Sequence, residues 1–219
     1  MDTQKFAIPL AVIVAGTLIG GALYFSSKPK PTPTTQKPTS SDSIEARAVS
    51  ASDHIIGNPN ADIVIIEYSD TECPFCKQFH KTMRQVIAEY GPKGTVAWVY
   101  RHFPIEELHP KARKEAEATE CANELGGVAK FWDYINTLYE RTTSNNNFDP
   151  AGLPIIAKDV GLDVSAFKDC LASGKYATKI QADYEDAIKA GGRGTPYSVV
   201  IIKKMEQKYQ STEQNHLKM

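Results

Sequence analysis

The chain has 219 residues, 25 basic against 26 acidic side chains, a net charge of −1, and 42% hydrophobic with 9% aromatic residues. This length allows one ordinary domain or two small ones. The charge balance excludes a general nucleic-acid binder, and the apolar content excludes wholesale disorder. Four cysteines are too few for a disulfide-dense miniprotein, yet two of them lie only three positions apart.

Residues 6–25, FAIPLAVIVAGTLIGGALYF, carry no charge. Twenty residues at a 1.5 Å rise span roughly the 30 Å hydrocarbon core, so a retained helix in the lipid bilayer is expected. A cleaved signal peptide is the alternative. Lys28, Lys30 and Lys37 after the span outnumber Lys5 before it, which favours a cytoplasmic C-terminal part. The cysteine chemistry below argues for the opposite orientation and carries more weight. Residues 26–50, rich in Ser, Thr, Pro and Lys, read as an extended tether, and the folded part is expected over 51–202.

His54 falls in a first short strand and is assigned no role. The turn Gly57-Asn58-Pro59-Asn60 precedes a β-branched run, residues 61–68, expected as a buried strand. From Pro74 to Tyr90 the apolar residues Phe75, Phe79, Met83, Val86 and Ile87 recur at helical spacing, and Gly91-Pro92 ends the pattern. Residues 95–100 form a second strand. A helical block follows over 111–125, stopped by Gly126-Gly127, and over 128–141, where Phe131, Trp132, Ile135, Leu138 and Tyr139 read as an aromatic core stripe. Further helices are expected at 150–160, 164–173 and 176–190, and a last strand at 195–202. The order β-α-β, helical block, β indicates an α/β fold with a helical insertion at about 105–190.

Cys73-Pro74-Phe75-Cys76 lies where a strand gives way to a helix. A helix start aims unpaired N–H groups and the positive end of its dipole at the first sulfur. That stabilises a thiolate and suits Cys73 to thiol–disulfide exchange. Cys76, one turn in, is placed to attack a mixed disulfide on Cys73, and Pro74 fits the first helical turn. A structural bridge and half of a zinc site are the alternatives. Zinc would need a second closely spaced pair, whereas Cys121 and Cys170 lie on separate expected helices, so no metal is expected. Asp70 and Glu72 are expected to point outward. His102 and His109 are expected to frame the entry to the helical block with satisfied imidazoles.

Three stretches, IIEYSDTECPFCKQF, YRHFPIEELHPKA and GGRGTPYSVVI, resemble the DsbA-like thiol:disulfide oxidoreductases. The resemblance covers about residues 55–202 and implies a thioredoxin-like fold with an inserted helical domain. It implies a cis-proline at Pro196, with Thr195 before it offering backbone to a substrate peptide alongside Pro74 and Phe75. It further implies a partly buried acid at Glu67 exchanging protons with Cys76, against the alternative of a strand-end carboxylate reaching solvent. Some relatives carry a second disulfide, here Cys121–Cys170; two independent buried thiols are the alternative. Such a bridge needs an oxidising compartment, which places the catalytic domain on the extracytoplasmic side of the cytoplasmic membrane. The implied activity is protein disulfide oxidation through the cysteine pair, with no other cofactor. Reduced or unfolded proteins would be the substrates, and a membrane quinone-linked thiol oxidase the reoxidising partner. An isomerase or reductase, or a non-catalytic tethered binding module, is the competing reading.

After Ile202 the family pattern continues with a turn, a strand and a covering helix, but residues 203–219 are polar and too short for both. With suitable codons, a shift at a run of adenines near Lys203 restores N-G-T-K-I-P-I-N-G-A-K-P-F-E-N, a turn, a short strand and a helix start. The tail is therefore expected to be a frameshift product that leaves the C-terminal strand and helix missing, and reading the gene there tests this.

Overall fold

The computed structural model describes residues 45–203. The expected membrane helix at 6–25, most of the tether and the tail beyond Lys203 lie outside the described residues. Among the described residues no helix is long and apolar enough to cross a membrane.

Four strands form one sheet in the order β1-β3-β2-β4: β1 His54–Gly57, β2 Ile63–Ser69, β3 Val96–His102 and β4 Tyr197–Ile202. The crossover from β2 to β3 is parallel and passes through helix α1, Pro74–Tyr90, while β1 and β4 pair antiparallel on the outside. Between β3 and β4 lie α2 (Ala112–Arg141), a single 3₁₀ turn (Pro150–Gly152), α3 (Leu153–Asp159), α4 (Val164–Ser173) and α5 (Ala177–Lys189). This is the α/β order read from the sequence, with element ends within two residues of those expected. The two helices expected at 111–125 and 128–141 meet at a kink on Gly127, whose φ of 74° a glycine adopts without steric penalty.

The β2 and β3 side chains alternate between two cores, as the twofold period of a strand requires. On one side Trp98 and Tyr100 pack with Met83 and Ile87 of α1 and with Phe131, Trp132, Ile135 and Tyr139 of α2. On the other, Val64, Ile66, Tyr68, Ala97 and Val99 pack with Ala187 and Ala190 at the end of α5. A third cluster, including Tyr134, Leu138, Ile156 and Phe167, holds the inserted helices together. A bridge between Cys121 of α2 and Cys170 of α4 crosses it, so the alternative of two separate thiols is set aside.

Residues 45–50 correct the tether reading. The Arg47 backbone N–H donates to Asp186 Oδ1 at 2.7 Å, its guanidinium pairs with Asp53 and Asp183, and Ala46 and Val49 pack on the sheet. Composition alone assigned them to the linker, but buried carboxylates on α5 and before β1 recruit Arg47 to the fold.

Candidate active site

Strand β2 ends at Ser69, four residues connect it to α1, and Cys73 is the N-cap of that helix in an extended conformation (φ −78°, ψ 123°). Pro74 at the first helical position surrenders an N–H that would have no partner there. The face of α1 turned to the core carries Cys76, His80, Met83 and Ile87, spaced by four, three and four residues. Fixing one cysteine at the cap and the next on this face makes them unequal. Both are free thiols with little exposure, and Cys76 has none.

Cys73 Sγ lies 3.5 Å from the Thr195 carbonyl oxygen, and the Thr195–Pro196 bond is cis. Its pKa is held well below the usual thiol value. The Cys76 thiol donating to Cys73 is the largest cause; burial opposes it, and the Thr195 side chain and the N–H groups of Cys76 and Phe75 assist. Burial and the adjacent Cys73 push Cys76 strongly upward, although the Asp70 N–H reaches its sulfur at 3.4 Å. The first sulfur is therefore the thiolate and the second remains a thiol. Pro74 and Phe75 face solvent between them, Phe75 at 72% exposure.

Glu67 does not reach solvent. Its carboxyl is fully buried, with Oε1 accepting from Ser69 Oγ at 2.7 Å and Oε2 from Trp98 Nε1 at 2.9 Å. Burial pushes its pKa up to about 8, with both hydrogen bonds pulling back. Tyr139 OH lies 3.0 Å from Ser69 Oγ and 3.3 Å from Tyr100 OH, and donates to the Asp70 carbonyl. Burial keeps both phenols protonated. His80, one turn beyond Cys76, is pushed down to about 4 by burial and shares a hydrogen bond with Asn136. It is neutral at physiological pH and brings no charge to the pair.

Asp70 and Glu72 point inward, contrary to the sequence reading. Asp70 accepts from the N–H groups of Glu72 and Ile105, each at 2.8 Å, and pairs with His109 Nδ1 at 3.0 Å. Glu72 Oε2 accepts from the Asn146 N–H and its carbonyl from the Asn145 N–H, both at 2.7 Å. Ser144, Asn145 and Asn146 all have positive φ, which turns these N–H groups toward the cysteine loop. Backbone donors outcompete water for both carboxylates, and no feature of residues 70–72 announces donors supplied from 105 and 146. Glu115 on α2 lies against Glu72, and burial followed by that neighbour pushes it up to about 8.

His54 and His102 share one acceptor, Glu120 Oε1, at 2.7 and 2.9 Å. Their donor atoms and that oxygen lie within 4.8 Å of one another, a spacing that could hold a metal ion. Lys179 Nζ is 2.9 Å from the same oxygen and supplies the positive charge there. Sequence reasoning missed Ser69, His80 and Glu115 altogether, and took Trp98, Tyr100 and Tyr139 only for strand and core residues. A helix-start C-x-x-C beside a cis-proline loop, with a buried carboxyl on the preceding strand, is an arrangement with known counterparts.

A thioredoxin family model matches residues 50–217. The chain belongs to the DsbA-like thioredoxin-fold family. Its structure superimposes on DsbA2 of Pseudomonas aeruginosa with a TM-score of 0.61 at 27% identity, covering 72% of this chain and 84% of that one. It matches α-DsbA1 of Wolbachia pipientis with a TM-score of 0.60 at 25% identity, covering 74% and 79%. BdbD of Bacillus subtilis, at 21% identity and a TM-score of 0.62 over 68% of this chain and 82% of that one, shares the fold. Among curated proteins, the Na(+)/H(+) antiporter NhaA 3 of Salinispora tropica is 33% identical over 144 residues, 66% of this chain and 21% of that protein. The chain thus spans about a fifth of the length of the curated relatives it matches.

Proposed function

We propose that this protein is a thiol:disulfide oxidoreductase acting as a protein disulfide oxidase. The observation that carries the reading is the unequal placement of the two sulfurs, Cys73 at the N-cap of α1 beside the Thr195 carbonyl and Cys76 fully buried one turn on, which favours a thiolate at the first and a thiol at the second. Stabilising the reduced pair makes the oxidised pair a stronger oxidant. A substrate thiolate attacks Cys73 of the Cys73–Cys76 disulfide and Cys76 leaves. A second substrate thiolate then attacks the substrate sulfur of the mixed disulfide, releasing Cys73 as a thiolate and leaving the substrate oxidised. The half-buried Thr195 backbone beside Cys73 and the exposed Phe75 suit an extended, unfolded chain.

The Cys121–Cys170 bridge favours an oxidising compartment, and with residues 6–25 as a membrane anchor the domain works outside the cytoplasmic membrane. A membrane quinone-linked oxidase reoxidises the pair, and no bound cofactor takes part. An isomerase or reductase uses the same sulfurs, and the reduction potential separates them. A value near about −120 mV fits the oxidase and one near about −270 mV a reductase. Given unfolded proteins that carry disulfides, Cys76→Ser should accumulate mixed disulfides, because the Cys73 thiolate attacks a substrate disulfide, displaces one substrate thiolate and meets no second cysteine to resolve the bond. If it traps none and Cys73 titrates as an ordinary thiol, the pair is a structural bridge in a binding module and the reading fails.

A further inference from the structure

Among the described residues, three side-chain nitrogens and six side-chain oxygens are buried without a hydrogen-bond partner. The nitrogens belong to His80, His102 and Trp132. All six oxygens belong to three short segments: Thr71 Oγ1 and Glu72 Oε1 in the loop before Cys73, both carboxyl oxygens of Glu115 on α2, and Ser144 Oγ and Asn146 Oδ1 in the loop after α2. We propose that these five residues form a calcium site that ties the three segments together. The site stands apart from the oxidoreductase reading above and does not depend on it.

Direct contacts bring the segments to one place. The Asn145 N–H donates to the Glu72 carbonyl and the Asn146 N–H to Glu72 Oε2, both at 2.7 Å, which leaves Oε1 as the unused carboxylate oxygen. Lys111 Nζ donates to the Asn146 and Phe148 carbonyls at 2.7 and 2.8 Å. The Glu115 N–H donates to the Lys111 carbonyl, so Glu115 stands one helical turn from Lys111, on the face turned to that same loop. Glu72 and Thr71 lie within interaction range of its carboxyl. The Asn146 amide nitrogen donates to the Leu108 carbonyl at 2.8 Å, which fixes its oxygen as the free acceptor. Glu72 and Glu115 have no exposure, and Ser144 and Thr71 have at most 2%.

A buried carboxylate needs a base, a proton or a metal ion. The bases of this region are committed, His109 to Asp70 and Lys111 to two carbonyls. At Glu120, by contrast, His54, His102 and Lys179 all meet the carboxylate. One proton joins two oxygens at most, whereas one calcium ion takes about six to eight at roughly 2.3–2.6 Å in an adaptable geometry. Carboxylate, hydroxyl and amide oxygens, with no sulfur or imidazole, suit calcium over zinc or copper. Magnesium would keep several waters, for which a buried site has little room. Asn145 and Asn147, exposed on either side of Asn146, open a path from solvent. Without a metal ion, a proton on Glu115 takes its place.

The test is calorimetric titration of calcium into the full-length protein, first stripped with chelator, at pH 8, where protons compete little for the carboxylates. One calcium ion should bind per chain. Calcium at about 100 times its dissociation constant should raise the folded-to-unfolded ratio in urea by about 100-fold. Glu72→Gln and Glu115→Gln should each weaken binding by more than about 10-fold, and Glu120→Gln should bind calcium as the wild type does. Thr71→Val and Ser144→Ala change no charge and should each weaken binding by about 3-fold or more, with circular dichroism in chelator matching the wild type. No binding and no stabilisation up to about 10 mM calcium would mean that water alone meets these oxygens, and the proposal fails. Binding that persists undiminished in both Gln variants, or in both hydroxyl variants, overturns it as well. So does loss of binding in a folded Glu120→Gln, which would move the ion to the histidine cluster.

Discussion

Cys73 and Cys76 stand one helical turn apart where β2 meets α1, whereas Cys121 and Cys170 join two inserted helices across a sequence separation of 49. The first pair has a helix start on one sulfur, full burial of the other and the half-buried Thr195 beside Cys73. The second pair lies in an apolar cluster of Ala118, Leu138, Leu153, Ile156 and Phe167. Two neighbouring cysteines are common to both regions. What differs is whether the two thiols are made unequal, and inequality is what allows one sulfur to leave while the other is attacked. The region between β3 and β4 uses its cysteines to restrain the chain; the β2–α1 junction keeps its own as two unequal thiols.

The sharpest way to break this contrast is to delete one pair at a time. Cys73→Ser should reduce exchange with reduced unfolded protein to the uncatalysed background, while Cys121→Ala/Cys170→Ala should exchange at the wild-type rate. Equal losses in both would mean the two regions do not divide the labour. The double variant should instead lose about 4 kcal/mol of stability in urea unfolding, the chain-entropy value for a closed loop of this length. A shift below about 1 kcal/mol would mean that the cluster of α2, α3 and α4 holds the insertion together without the bridge.

The active pair was readable because its chemistry is local. Cys73-Pro74-Phe75-Cys76 names a helix start, and Gly194-Thr195-Pro196 marks the turn into β4; each depends on neighbours in sequence. The surroundings of Cys76 were not readable, because they assemble across the fold. Ser69 is explained only when Tyr139, seventy residues on, is seen beside it. Asp70 and Glu72 looked like solvated loop acids because their donors arrive from Ile105, His109 and Asn146. The burial of Glu67 needed both Trp98 and the packing of α2 over the sheet.

Glu67 and the Cys73 thiolate sharpen the comparison through pH. Glu67 is raised from 4.5 to about 8 in the folded protein, so between those values the native state holds a proton that the unfolded chain releases. Stability attributable to this group is complete below about pH 4.5 and is lost as pH rises toward 8. Glu67→Gln should flatten that decline in urea titrations at pH 5, 6.5 and 8, and an unchanged slope would deny the carboxyl its buried proton. Iodoacetamide labelling of the reduced protein should follow a midpoint near about 5 at Cys73, with Cys76 unlabelled over the same range. Cys76→Ala should move that midpoint upward, because the Cys76 thiol is the largest contributor to it.

The smallest effect concerns Glu115, whose neighbour Glu72 immediately precedes Cys73. Glu115 is pushed up to about 8 first by burial and then by the neighbouring Glu72, so its own carboxyl keeps its proton at neutral pH. Above pH 8 that proton leaves, and like charges repel in a buried setting next to Cys73. Glu115→Gln keeps the shape and removes the second charge. It should leave stability unchanged at pH 5 and raise it by on the order of 1 kcal/mol at pH 9. The Cys121–Cys170 region offers the control, since its bridge carries no titrating group and its contribution should be the same at both pH values. If Glu115→Gln shifts stability equally at pH 5 and pH 9, the gain comes from packing and not from a proton held at Glu115.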